Sequence, residues 1–266
     1  MERIRSGDAE IACEVMGQGP SLVLLHPFPA HHEFWKPLAE SLATRYRVIL
    51  PDLRGHGESG VGEGPATMEK HAADLARICA ELETGRAIFA GVSIGGYILF
   101  EFWRRSRQRV RALVLSDTRA QADTAEGRSN RLKAAEEVLQ RGPESFIDSM
   151  LPKLLGESTR QSRPDLVRAA KSMMMKMSAQ DIAEVQRGMA VRPDSMETLK
   201  TIDVPALLLV GSEDGLTPPA DAELMRRNLA GSRLQVIPRA GHYAPFEQSE
   251  ATLPILRQFL DSLPRQ

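Results

Sequence analysis

The sequence predicts an α/β protein: a mostly parallel central sheet with helices on both faces, interrupted by a helical insertion. Two observations predict it. Short apolar runs alternate with segments of helical spacing along most of the chain, the pattern of parallel strands joined by crossover helices. Between positions 118 and 201 the alternation stops, and that stretch is rich in Arg, Glu, Gln, Met and Ala, mostly good helix formers. A chain of 266 residues with 42% hydrophobic content suits one core domain carrying such an insertion.

Taken in order, Ile11–Met16 reads as a strand closed by a Gly-Gln-Gly-Pro turn. Ser21–Leu25 (SLVLL) is a continuous apolar run, as in a strand buried on both faces. Phe34–Ala43 reads as helix and Arg47–Leu50 as a short strand. Thr67–Leu82 places Met68, Ala72, Leu75, Ile78, Cys79 and Leu82 at helical spacing behind an N-cap Thr67. Ala87–Ala90 is a strand, Ile94–Arg105 a helix and Ala112–Leu115 a strand. After the insertion come strand Pro205–Val210, helix Pro219–Leu229, strand Leu234–Ile237 and helix Ser249–Leu263. The expected division is therefore 1–117 and 202–266 as two parts of the core, with 118–201 as a helical cap.

Composition narrows the function classes. A formal net charge of −1 offers no electrostatic argument for nucleic acid or a membrane surface as partner. No apolar run approaches the ~20 residues that cross a bilayer. The charged start Met-Glu-Arg-Ile-Arg lacks the apolar segment of a secretory signal, so a cytoplasmic location is expected. Cys13 and Cys79 have no metal-like spacing and read as small buried apolar residues. His31 and His32 are adjacent, and neighbours in sequence do not share a face, so no metal pair is expected there. Self-association into a homo-oligomer is left open.

The strand Ala87–Ala90 runs into Gly91-Val92-Ser93-Ile94-Gly95-Gly96, and a helix follows. This is G-x-S-x-G in a strand–turn–helix setting. A turn this sharp leaves no room for side chains at Gly91 and Gly95, and it projects the Ser93 hydroxyl at a helix N-terminus. The Ile94 N–H is free there to donate to an oxyanion.

A hydroxyl is a weak nucleophile until a base takes its proton, and the base needs an orienting carboxylate. Both belong just after strands, at the carboxyl edge of the sheet where open α/β sheets bind ligands. Asp214 follows strand Pro205–Val210 and His242 follows Leu234–Ile237, giving the chain order Ser, Asp, His. Asp117 also follows a strand and is the alternative acid. His26 is read as a loop histidine bonded to backbone; His56 and His71 have no catalytic context.

Several motifs together resemble the α/β-hydrolase superfamily. They are His26-Pro27-Phe28-Pro29 after the SLVLL strand, Pro51-Asp52-Leu53-Arg54-Gly55-His56-Gly57-Glu58-Ser59, the Gly91–Gly95 turn, Gly211-Ser212-Glu213-Asp214-Gly215-Leu216-Thr217-Pro218 and Ala240-Gly241-His242. The resemblance implies the α/β-hydrolase fold and a catalytic triad of Ser93, Asp214 and His242. It also implies an oxyanion hole formed by the backbone N–H groups of Phe28 and Ile94. Pro27 replaces the family's usual glycine, which leaves the path of that loop, and a cis peptide bond in it, open. The Asp52–Ser59 loop reads as structural, with Asp52 and Arg54 tying loop backbone together.

The stretch from Gly91 to Asp117-Thr118-Arg119 is similar to bacterial 3-oxoadipate enol-lactonase-like serine esterases. That implies a small-molecule ester or lactone substrate, hydrolysed through an acyl-enzyme with no cofactor and no metal. A serine nucleophile argues against the dehalogenase and epoxide-hydrolase branches. An enol-lactonase substrate is anionic, so a basic cap residue (Arg128, Arg131, Lys133, Arg163, Arg168 or Lys171) should face the pocket. Met173–Met177 and Met189 either line an apolar pocket or pack the cap on the core. The competing readings are acyl transfer or perhydrolysis, carbon–carbon bond hydrolysis by the same triad, and, least favoured, a non-catalytic ligand receptor.

Overall fold

The computed structural model describes residues 1–264. Eight strands form one sheet: β1 (Glu2–Ser6), β2 (Ala9–Met16), β3 (Ser21–Leu25), β4 (Arg47–Pro51), β5 (Ala87–Val92), β6 (Val110–Ser116), β7 (Ala206–Gly211) and β8 (Arg233–Ile237). Their spatial order is β1-β2-β4-β3-β5-β6-β7-β8. The β1–β2 hairpin and the β2–β4 pair are antiparallel; every other pair is parallel. The sequence pattern did not separate β1, because it lies at the sheet edge with Arg3 and Arg5 exposed.

The parallel strands β3, β5, β6 and β7 are buried along nearly their whole lengths. Alternate residues serve two cores. Val23, Leu25, Phe89, Leu113 and Leu208 pack against α2 (Met68–Glu81) and α3 (Ile94–Ser106). Leu22, Leu24, Ile88, Val114 and Leu207 pack toward α1 (Lys36–Leu42) and the closing helix Ser249–Asp261. Burial on both faces is what makes these strands read as unbroken apolar runs rather than alternating ones.

Between β6 and β7 the chain forms α4 (Ala125–Arg141), α5 (Pro143–Leu154), α6 (Glu157–Ser162), α7 (Pro164–Met174), α8 (Ala179–Ala190) and α9 (Met196–Leu199), with no strand. α4 packs chiefly on α8, which is buried along most of its inner face and carries a Ser178–Asp181 capping box. The remaining helices are α10 (Pro219–Asn228), the short α11 (Ala244–Glu247) and α12 (Ser249–Asp261). The final positions of the segment expected to run from 202 to 266, residues 265 and 266, lie outside the described residues. No described helix is long and apolar enough to cross a membrane.

The loop after β4 is a buried polar knot. Arg54 makes two 2.8 Å bonds to Asp74 on α2 and one of 2.9 Å to Asp8. Asp52 accepts from the backbone N–H groups of His32 and Glu58, each at 2.8 Å, and from the His32 ring at 2.7 Å. The loop is thus fixed by side chains where no ladder reaches it.

Candidate active site

Because β3 and β5 to β8 run parallel, their carboxyl ends share one edge, and the residues singled out from sequence all follow those ends. Ser93 follows β5 with φ +54° and ψ −111°, a strained conformation at the turn into α3. The neighbouring β6 end holds it: Ser93 N–H donates to Ser116 O at 3.0 Å, and the Thr118 hydroxyl donates to Ser93 O at 2.8 Å. The flanking glycines are required sterically. A Cβ on Gly91 would stand 2.5 Å from the Gly95 carbonyl carbon, and one on Gly95 would stand 2.9 Å from Leu25 O.

Asp214, in the turn after β7, is buried and heavily hydrogen-bonded. Oδ1 accepts from the N–H groups of Leu216 (2.8 Å) and Thr217 (3.0 Å); Oδ2 accepts from the Thr217 hydroxyl (2.6 Å) and from His242 Nδ1 (2.9 Å). An ionised carboxylate only accepts, so Nδ1 carries a proton, which in a neutral ring is the tautomer that leaves the lone pair on Nε2. Burial opposes ionisation of Asp214, but the His242 ring and the Thr217 bonds outweigh it and hold the carboxyl below its ordinary range.

Asp117 is differently placed. Its Oδ1 accepts from Gly211 N–H at 2.8 Å, its Oδ2 pairs with the Ser116 hydroxyl at 2.6 Å, and its own N–H donates to Leu209 O at 2.9 Å. It therefore stitches β6 to β7. Burial, with Asp214 beside it, pushes its carboxyl well above the usual range. Of the two carboxyls, Asp214 is the one bonded to His242.

Ser93, Phe28, Thr217 and His242 line one cavity of about 480 Å³. Ser93 and His242 both line it, with no hydrogen bond between their side chains. No described residue accepts from the N–H of Phe28 or of Ile94. The loop carrying Phe28 is fixed by His26, whose Nδ1–H donates to Pro27 O and whose Nε2 accepts from Leu53 N–H, both at 2.9 Å. That pairing defines a neutral ring, consistent with burial pushing His26 well below its ordinary value. The Phe28–Pro29 peptide bond is cis.

α4, α5 and α8 form the opposite wall. Of the six basic residues proposed to face the pocket, only Arg131 does so, and it is occupied by Asp123 (2.6 Å) and Gln186 (3.1 Å). The other lining cations are Arg119, Arg141 and Lys153, which the sequence did not single out. Arg119 bonds Leu216 O and pairs with Asp221 at 3.3 Å. Arg141 and Lys153 have no carboxylate within 4 Å among the described residues. Of the methionines, Met189 and Met150 reach the cavity, whereas Met173 and Met174 pack inside the core.

His31 and His32, expected not to share a face, come together in the structure, their ring centroids 5.1 Å apart. A tight 3₁₀ turn over His32–Trp35 brings ligand atoms of His31, His32 and Asp52 within 4.8 Å of one another. Both Asp52 oxygens are already engaged there by the loop's own donors.

A sequence model of the alpha/beta hydrolase fold matches residues 20–249. The chain is 28% identical to 3-oxoadipate enol-lactonase 1 of Acinetobacter baylyi, covering 92% of this chain and 90% of that one. It is 30% identical to a pimeloyl-[acyl-carrier protein] methyl ester esterase of Neisseria meningitidis, covering 90% and 93%. Among solved structures, a thermophilic esterase from Thermogutta terrifontis with malate bound superimposes with a TM-score of 0.95 at 39% identity, covering 98% of each chain.

Proposed function

The chain belongs to the α/β-hydrolase fold family, and on that premise we propose that it is a serine hydrolase of carboxylic esters or lactones. Ser93 Oγ attacks the carbonyl carbon while His242 Nε2 takes its proton. Asp214 fixes the ring tautomer and stabilises the imidazolium. The N–H groups of Phe28 and Ile94 receive the developing oxyanion, with the N-terminal end of α3 adding its dipole. His242 returns its proton to the leaving alkoxide, or to the ring-opened oxygen of a lactone. It then activates a water that releases the acyl group from Ser93. Helices α4–α9 act as a cap that shapes the acyl site.

The observation that carries this reading is the His242–Asp214 pair, with its free Nε2, on the same cavity wall as a strained serine after β5. The names of the esterase and enol-lactonase relatives support the same reaction class. The test is hydrolysis of p-nitrophenyl acetate by the parent chain and by Ser93→Ala. A nucleophile in a comparable triad contributes roughly a million-fold, so a loss of at least several-hundredfold in kcat is expected, and a loss under about tenfold contradicts the assignment.

A further inference from the structure

His242 sits in a loop, with no ladder or long helix to fix its backbone, yet every N–H from Gly241 to Tyr243 is engaged. Glu247 Oε1 accepts from Gly241 N–H (2.9 Å) and Tyr243 N–H (3.2 Å), the residues on either side of the histidine. His242 N–H itself donates to Leu154 O at 2.9 Å, at the end of α5. The second Glu247 oxygen accepts from Gly156 N–H at 2.8 Å, in the turn joining α5 to α6. Contact there is backbone on backbone: a Cβ on Gly241 would stand 2.3 Å from Gly156 N.

From this geometry we propose that Glu247 is the positioning residue for the base, seating His242 and the inserted helices on one buried carboxylate; this rests on the acyl-transfer reading above. Three N–H donors converge on its two oxygens, an arrangement that favours the ionised form. Glu247 is only 3% exposed, and no Lys, Arg or His nitrogen lies within 4 Å of it among the described residues. Burial pushes its carboxyl upward, against the nearby Thr159 hydroxyl and the backbone N–H bonds that favour the charge. A buried charge with no cationic partner is costly to keep. What it secures is the backbone on both sides of a ring whose small displacement slows proton transfer. The turn at Gly156 is part of the same seat, so the cap is anchored at its α5–α6 junction to the base it covers.

The test compares the parent chain with Glu247→Gln, which keeps the shape but turns an acceptor into a donor facing an N–H. Competent sites are counted with a fluorophosphonate probe, and p-nitrophenyl acetate kinetics are expressed per titrated site. A merely structural role would lower the melting temperature and the number of sites while leaving the rate per site alone. Positioning predicts a fall of about ten- to a hundredfold in kcat per site, with KM changed less than about threefold. If Glu247→Gln does not fold, Glu247→Asp, which keeps the charge but retracts it by one methylene, is measured the same way and should lose at least about threefold per site. A per-site kcat within about twofold of the parent in the folded variant overturns the role of Glu247 while leaving Ser93 chemistry intact. A parent chain that does not react with the probe overturns both readings.

Discussion

The Asp214 carboxylate reaches His242 Nδ1 at 2.9 Å through the same oxygen that takes the Thr217 hydroxyl at 2.6 Å. Thr217 Oγ1 is also 3.2 Å from Nδ1, so acid, hydroxyl and ring form one closed triangle in a buried site. Asp214→Asn replaces an acceptor with an amide that can favour the wrong ring tautomer. It should cost on the order of 10³–10⁴ in kcat. Asp117→Asn removes a group bonded to Gly211 and Ser116 instead, and should act on stability more than on turnover. Steady-state kinetics of the two variants decide the matter: a larger loss for Asp117→Asn would place the acid on β6.

The cavity wall carries two cations, Arg141 and Lys153, without a carboxylate partner among the described residues. Both are exposed, so solvent screens them and their individual contributions are small. The double variant Arg141→Gln with Lys153→Gln should lower kcat/KM for a nitrophenyl hemisuccinate by about three- to tenfold, and less as salt is added. For the neutral p-nitrophenyl acetate it should stay within about twofold. Equal losses on both esters would mean that these residues support the cap rather than read charge.

His71 on α2 is buried, and neither of its ring nitrogens has a hydrogen-bond partner. Burial, aided by the nearby His56 and Arg54, pushes it well below its ordinary value near 6.5, so the folded chain keeps it neutral. As pH falls below that value, the unfolded chain takes up a proton that the folded chain refuses. Stability that is complete above pH 6.5 is therefore lost on acidification. His71→Leu removes this one proton from the balance. Urea unfolding should find the variant equal to or more stable than the parent near neutrality, since an unsatisfied polar group is gone. Its advantage should grow steadily as the pH is lowered from 6.5. Parallel stability–pH curves would show that His71 is protonated equally in both states.

Legibility in the sequence follows burial and locality. β3, β5, β6 and β7 announced themselves because burial on both faces demands unbroken apolar residues. β8 was legible despite exposed Arg233, Gln235 and Val236, because turn residues bracket it, Gly231-Ser232 before and Pro238 after. The inserted helices were legible as a helical block but not one by one: α5 contains Pro152, and Pro164 opens α7 directly after α6. Ser93, Asp214 and His242 stood out because each lies in a glycine-containing turn after a strand-like run, a local signature. Arg141, Lys153 and Glu247 carried none. Glu247 acts on Gly156, 91 positions away, and nothing in the spacing of either residue encodes that approach.

The most direct measurement is peptide mapping of the chain after reaction with a fluorophosphonate, which modifies a serine only where a base and an oxyanion site activate it. The predicted result is a single adduct on the peptide containing Ser93, absent from Ser93→Ala and strongly slowed in His242→Ala. An unmodified chain, or an adduct on another residue with Ser93 untouched, would contradict the assignment of this cavity as an acyl-transfer site.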